Sequence, residues 1–218
     1  MKWKLYQKNK NYRSAAGSGH MPIKVGVIGM QGAVEEHIRM VERALKSMGK
    51  GGTTVPIRRP EQFLDCDALI IPGGESTTIS KLLANSGLTY AIKKRYDEAE
   101  FPIMGACAGM ILLAKKVIGD GKKIISLELM DMEVKRNAFG RQRESFETDL
   151  GVKNFDAPYR AVFIRAPVAT RVWGKCEVLA RFDQKIVMVK QDSCFALAYH
   201  PELTSDLRIH QYFLSFIE

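Results

Sequence analysis

Gly105-Ala106-Cys107-Ala108-Gly109 holds the residue best suited to covalent chemistry in this chain. It lies between a short apolar run, Pro102–Ala106, and a helical pattern over 108–117. A nucleophile flanked by small residues at a strand-to-helix turn has the elbow arrangement, in which the turn is too tight for bulky neighbours and pushes the side chain into the open. The first N–H groups of the following helix and its dipole favour a thiolate there. A thiolate attacking a carbonyl needs a base, and the base needs an acid to orient it. His200 follows the apolar run Cys194–Tyr199, and Pro201 stiffens the exit. Glu202 is two residues on, which in extended chain puts it on the same side as His200. The residues thus spell a Cys107–His200–Glu202 constellation for acyl transfer. Of the other histidines beyond residue 20, His37 follows Glu35-Glu36 on a helix and reads as a surface residue. His210 lies inside the last helix and reads as a surface or satisfied helix histidine.

Acyl chemistry also needs donors for the oxyanion. Gly73-Gly74 offers backbone N–H groups unhindered by side chains, and the N–H of Ala108 supplies another. A second glycine loop, Gly26-Val-Ile-Gly29-Met-Gln-Gly32, does not bind a dinucleotide on this reading. Its spacing is G-x-x-G-x-x-G, and the next strand ends in Arg58-Arg59 where an acid should hold the ribose. Cys66, Cys176 and Cys194 have no ligand spacing, so no metal is expected.

These loops need strands to carry them. Lys24–Gly29, Thr53–Ile57, Asp67–Pro72 and Pro102–Ala106 read as strands of a parallel sheet. They alternate with helices at 32–49, 76–84, 88–99 and 108–117. The second half reads differently. Met130–Arg136, Ala161–Arg165, Cys176–Phe182, Lys185–Lys190 and Phe195–Tyr199 are strands with short connections, Asp183-Gln184 is a tight turn, and a last helix covers 204–217. The expected architecture is three-layer α/β, flavodoxin-like, with a mostly parallel central sheet, helices on both faces and an antiparallel extension. In such sheets ligands sit at the carboxyl ends of the strands.

The 218 residues carry a net charge of +9 and 46% hydrophobic residues, enough for a full core. The charge at first suggests a nucleic-acid partner. Residues 1–20, however, hold Lys2, Lys4, Lys8, Lys10 and Arg13 and no acid, and without them 28 basic face 24 acidic residues, or +4. That segment, ending Ser-Ala-Ala-Gly-Ser-Gly-His20, reads as an expression tail, leaving 21–218 as one domain. No nucleic-acid or membrane partner is expected, and the few unpaired cysteines point to a cytoplasmic protein.

At this point the motifs resemble a family. Gly105–Gly109 with His200-Pro201-Glu202 is similar to the class I, triad-type glutamine amidotransferases. The closer likeness is to the glutaminase subunits of pyridoxal 5′-phosphate synthase. It is carried by Gly29-Met30-Gln31-Gly32, Glu36-His37, Pro72-Gly73-Gly74-Glu75-Ser76-Thr77-Thr78, Arg136-Asn137-Ala138-Phe139-Gly140-Arg141-Gln142, Ser145-Phe146-Glu147, Phe163-Ile164-Arg165-Ala166-Pro167 and Tyr199–Leu203, in family order. Met110 stands where many class I members carry Gln, and an apolar residue there suits this subfamily.

The resemblance implies that Cys107 attacks L-glutamine, that His200 moves the proton, and that Glu202 holds the imidazole. It implies substrate contacts at Gly74, Glu75, Ser76, Arg136, Ile164 and Arg165, and an oxyanion region around Gly73, Gly74 and Ala108. It places Gln31, Glu36 and His37 toward a (β/α)8-barrel synthase subunit that receives the ammonia, and it implies no cofactor. Two other readings stay open: the glutaminase subunit of a different amidotransferase, such as that of histidine biosynthesis, and a non-catalytic scaffold of the same fold.

Overall fold

The apolar runs at the centre of the sheet become strands buried along their whole length, while Gly52–Ile57 at its edge is covered mainly at Ile57. The computed structural model describes residues 22–119, 124–140 and 145–217. The expected tail at 1–20 lies outside the described residues. The first four strands are β1 (Ile23–Ile28), β2 (Gly52–Ile57), β3 (Ala68–Ile71) and β4 (Ile103–Ala106). β3 and β4 are buried at every position, as strands covered on both faces must be.

The helices between them are α1 (Val34–Ser47), a short α2 (Pro60–Phe63), α3 (Ser76–Asn85), α4 (Leu88–Glu98) and α5 (Ala108–Leu113). Val34, Ile38, Val41 and Leu45 give α1 its apolar stripe, and Glu35 and Glu36 complement the dipole at its start. Gly49, at φ 66°, takes the left-handed turn that ends it. Helix α5 packs directly on the sheet: a Cβ at Gly109 would collide with the Ile71 carbonyl.

The second half supplies β5 (Ala114–Ile118), β6 (Met130–Lys135), β7 (Ser145–Leu150), β8 (Tyr159–Ile164), β9 (Val168–Val172), β10 (Glu177–Phe182), β11 (Lys185–Gln191), β12 (Cys194–Leu197) and a last helix, α6 (Arg208–Leu214). The main sheet has ten strands in the order β2-β1-β3-β4-β12-β11-β9-β6-β5, with β10 paired to β11. From β2 to β12 every pairing is parallel. β11 then turns antiparallel to β12, and β10, β9 and β6 continue in that manner. The hairpin β10–β11 turns at Asp183, which takes φ 51°. This is the expected mostly parallel sheet with helices and an antiparallel extension.

Several sequence expectations change. The helix expected over 108–117 stops at Leu113. Residues Ala114–Ile118 instead form β5, because they pair parallel with β6 in the folded chain. Strands β7 and β9 were not expected. β7 pairs only with β8, in a two-stranded hairpin outside the main sheet. The last helix is shorter than 204–217, since Pro201–Leu203 is a 3-10 turn and α6 begins at Arg208. Among the described residues no helix is long and apolar enough to cross a membrane.

Candidate active site

Strands β1, β3, β4 and β12 run parallel as neighbours, so their carboxyl ends share one edge of the sheet. The loop Gly29–Gly32, the turn Gly73–Glu75, Cys107 and the segment Ala198–Glu202 all leave from that edge. Cys107 directly follows β4 and caps α5 with φ 47° and ψ −98°, a strained turn that only a tight strand-to-helix connection imposes. Its N–H donates to the Leu197 carbonyl at 2.7 Å, which ties the elbow to the end of β12. Its thiol reaches the Ile164 carbonyl at 3.8 Å, at the end of β8.

The same β8 catches the other partner, because the His200 N–H donates to the Val162 carbonyl at 2.9 Å. His200 Nδ1 and Glu202 Oε1 are 2.7 Å apart and buried. Burial alone would pull the His200 pKa down. Hydrogen bonds to Cys107 and Glu202 outweigh it and push the value up to about 10. Burial likewise works against ionised Glu202, and His37 and His200 outweigh it, so its pKa lies below the ordinary range. The three groups thus form a line, thiol to imidazole to carboxylate, with a proton favoured on the ring.

Around the line the chain leaves little room. A Cβ at Gly73 would collide with the His200 ring. The Gly73 carbonyl accepts from the Ala33 N–H at 3.2 Å, and Gln31 Oε1 accepts from the Glu75 N–H at 2.8 Å. The first glycine loop is therefore a brace for the second, not a nucleotide cradle.

Glu75 caps α3, its carboxylate accepting from Thr77 N at 3.2 Å and Thr78 N at 2.7 Å. Burial would raise its pKa, but hydrogen bonds from Thr78 and Thr77 outweigh it and hold the carboxyl down at about 2. Arg136, just past β6, lies 3.5 Å from Glu75 Oε1 with its side chain largely buried. Ser76 is buried at the start of α3, Ala108 is buried in the first turn of α5, and Gly74 is exposed. Arg165 follows β8 at φ 43° and is exposed. Glu36 is partly exposed on α1 and pairs with Arg39 at 3.5 Å.

His37 corrects the sequence reading, and of the two alternatives for His210 the surface one falls and the partnered helix histidine stands. Both are fully buried, so neither is a surface residue and the His37 side chain does not face a partner. His37 Nε2 lies 3.3 Å from Glu202 Oε2, and His37 Nδ1 lies 3.3 Å from His210 Nε2. The signal was present in the spacing. His37 is three residues after Val34 and four before Val41, and His210 is three before Phe213, so both fall on the apolar stripes of their helices. Among the described residues no three His, Cys, Asp or Glu side chains cluster so as to hold a metal ion.

This fold, with its parallel edge and antiparallel extension, is that of the class I glutamine amidotransferases. A crystal structure titled as a glutamine amidotransferase superposes with a TM-score of 0.78 at 43% identity, covering 88% of this chain and 98% of that one. Residues 27–218 match the SNO glutamine amidotransferase family, and the chain belongs to it. A relative from Pelotomaculum thermopropionicum, named pyridoxal 5′-phosphate synthase subunit PdxT, is 51% identical over 193 residues, 88% of this chain and 94% of its own length. One of the same name from Pyrococcus furiosus is 47% identical, covering 88% of this chain and 98% of its own.

Proposed function

We propose that this protein is the glutaminase subunit of a pyridoxal 5′-phosphate synthase. The observation that carries the reading is the Cys107–His200–Glu202 line at the carboxyl edge of the sheet, in a chain about half identical to relatives bearing that name. Cys107 sulfur attacks the carboxamide carbon of L-glutamine, and the carbonyl oxygen gathers charge against N–H groups of Gly73, Gly74 and Ala108. His200 holds the thiol proton and gives it to the departing nitrogen, so ammonia leaves as the C–N bond breaks. The γ-glutamyl thioester that remains is cut by water, which gives one proton back through His200 to the thiol and releases L-glutamate. Glu202 keeps the ring oriented with Nδ1 toward itself, leaving Nε2 for the sulfur.

Gly74, Glu75, Ser76, Arg136, Ile164 and Arg165 hold the substrate. Glu75, ionised at any physiological pH, suits the amino group. An arginine fork suits the α-carboxylate. Gln31 and Glu36, on and beside the loop that braces the oxyanion turn, face the barrel-shaped synthase subunit, which uses the ammonia in a cytoplasmic complex.

A glutaminase assay with and without the synthase subunit tests this reading. Cys107→Ala should release ammonia roughly a thousandfold more slowly, or not at all, while binding the synthase normally. Ammonia release by that variant at the wild-type rate would overturn the mechanism. A failure to form pyridoxal 5′-phosphate with a synthase subunit would overturn the assignment of the complex.

A further inference from the structure

Beyond the three residues of the line, two buried histidines continue it. Glu202 has two carboxylate oxygens, and His200 occupies only Oε1. Oε2 is buried, with His37 Nε2 at 3.3 Å from α1. The contact is within ion-pair range but off the angles of a good hydrogen bond, and neither atom has a partner of better geometry. His37 Nδ1 in turn meets His210 Nε2 from α6. Burial keeps both histidines neutral, lowering the pKa of His37 against the pull of Glu202, and that of His210 further still.

Neutrality makes the tautomers matter, since each ring then has one donor and one acceptor. With its proton on Nδ1, His37 would turn a bare lone pair toward the Glu202 carboxylate, two acceptors face to face. With its proton on Nε2, it donates toward Oε2, and Nδ1 accepts from His210 Nε2–H. The single atom then left over is His210 Nδ1, a bare acceptor, and this atom has no hydrogen-bond partner. The second arrangement is the favourable one.

We propose that His37, its tautomer fixed by His210, is a positioning residue for the glutaminase reaction, acting through the second oxygen of Glu202. The inference rests on the glutaminase reading above. It gives α1 and α6 a task in the chemistry: they hold the carboxylate ionised and aimed from behind. The titratable groups facing Glu202 are His200 beside it, His37 from α1 with Glu36 beyond, and Tyr159 from β8. His210 of α6 faces His37. Of these, His37 is the one that lies against Oε2, since His200 meets Oε1 and the Tyr159 hydroxyl pairs with Thr204. Without that donor Glu202 accepts a proton at higher pH, so the acid limb of the rate profile moves upward.

The experiment uses the assembled complex with the synthase subunit and follows kcat and KM for glutamine over about pH 5–9. His37→Leu should lower kcat roughly 10- to 100-fold, as loss of an outer hydrogen-bond partner does, with KM little changed and the acid limb displaced upward. His37→Gln, which can offer an amide N–H near the position of Nε2, should return the limb toward the wild type. A His37→Leu complex with wild-type kcat and an unmoved limb overturns the proposal. So does a pair of variants that lose activity equally with the limb unmoved, which is the mark of packing alone. If His37→Leu fails to fold, 15N NMR of the wild-type rings decides: Nε2–H on both histidines supports the proposal and Nδ1–H on His37 overturns it. Cys107→Ala is the control. Activity in that variant overturns the glutaminase reading itself, whereas its loss beside an unaltered His37→Leu overturns only the role of His37.

Discussion

Cys107 shows what a single residue stores. Its left-handed backbone costs on the order of 1–3 kcal/mol, and the hydrogen bond to Leu197 with the packing of Gly109 on β3 holds it in place. The result is a buried thiol held beside the His200 ring. Because the thiol is one of the two groups that raise the His200 pKa, the ring should keep its proton through neutral pH in the wild type. In Cys107→Ala the pKa should fall toward that of an ordinary histidine, since burial then acts with less opposition. Titration of the His200 ring by NMR measures this directly, and an unmoved midpoint would mean that the sulfur does not touch the ring. Cys107, His200 and Glu202 were legible from their neighbours: small residues around one, a proline after another, an i+2 offset for the third. The burial of His37 and His210 was legible in their helical spacing, but the contact of the two rings with each other, and of His37 with Glu202, was not. Their meaning lies in a contact between residues 173 positions apart.

At the scale of elements, the hairpin β7–β8 sets the site from the side. It carries the Val162 carbonyl that fixes His200 and the Ile164 carbonyl that meets the thiol. The hairpin is outside the main sheet, and side chains hold it there together with backbone bonds such as those of His200 to Val162 and Lys153 to Leu179. Phe163 is fully buried and stacks on Phe146 with centroids 4.8 Å apart, and Phe139 and Phe182 close the cluster. Phe163→Ala should therefore cost about 3–5 kcal/mol in denaturant unfolding, and glutaminase activity should fall with it as Ile164 loses its support. A loss under about 1 kcal/mol would mean that the hairpin is anchored elsewhere. The sequence hid β7 because its positions alternate between exposed and half-buried, with only Leu150 fully covered. It hid β5 for the opposite reason. Ala114–Ile118 continues an apolar helical run, and only pairing with β6 across the sheet converts it to strand.

For the whole molecule, charge was the feature that pointed furthest from the site. The match to the family begins at residue 27 and the first strand at Ile23, while residues 1–20 hold five cationic side chains without an acid. A chain beginning at Met21 should keep the stability and glutaminase activity of the full chain and lose salt-sensitive retention on nucleic acid. Retention that persists at equal strength would place the basic surface on the domain itself. The sequence alone determined the alternation of the main strands and helices in the first half, the three glycine-bearing turns and the residues proposed for the chemistry. Each of those depends on local sterics or on periodicity within a dozen residues. Only the tertiary structure decided that four of the turns and ends meet on one edge, that Gln31 braces Glu75, and that His37 and His210 stand behind Glu202. Those contacts join distant segments, and they follow from strand order and helix packing, which no local pattern encodes.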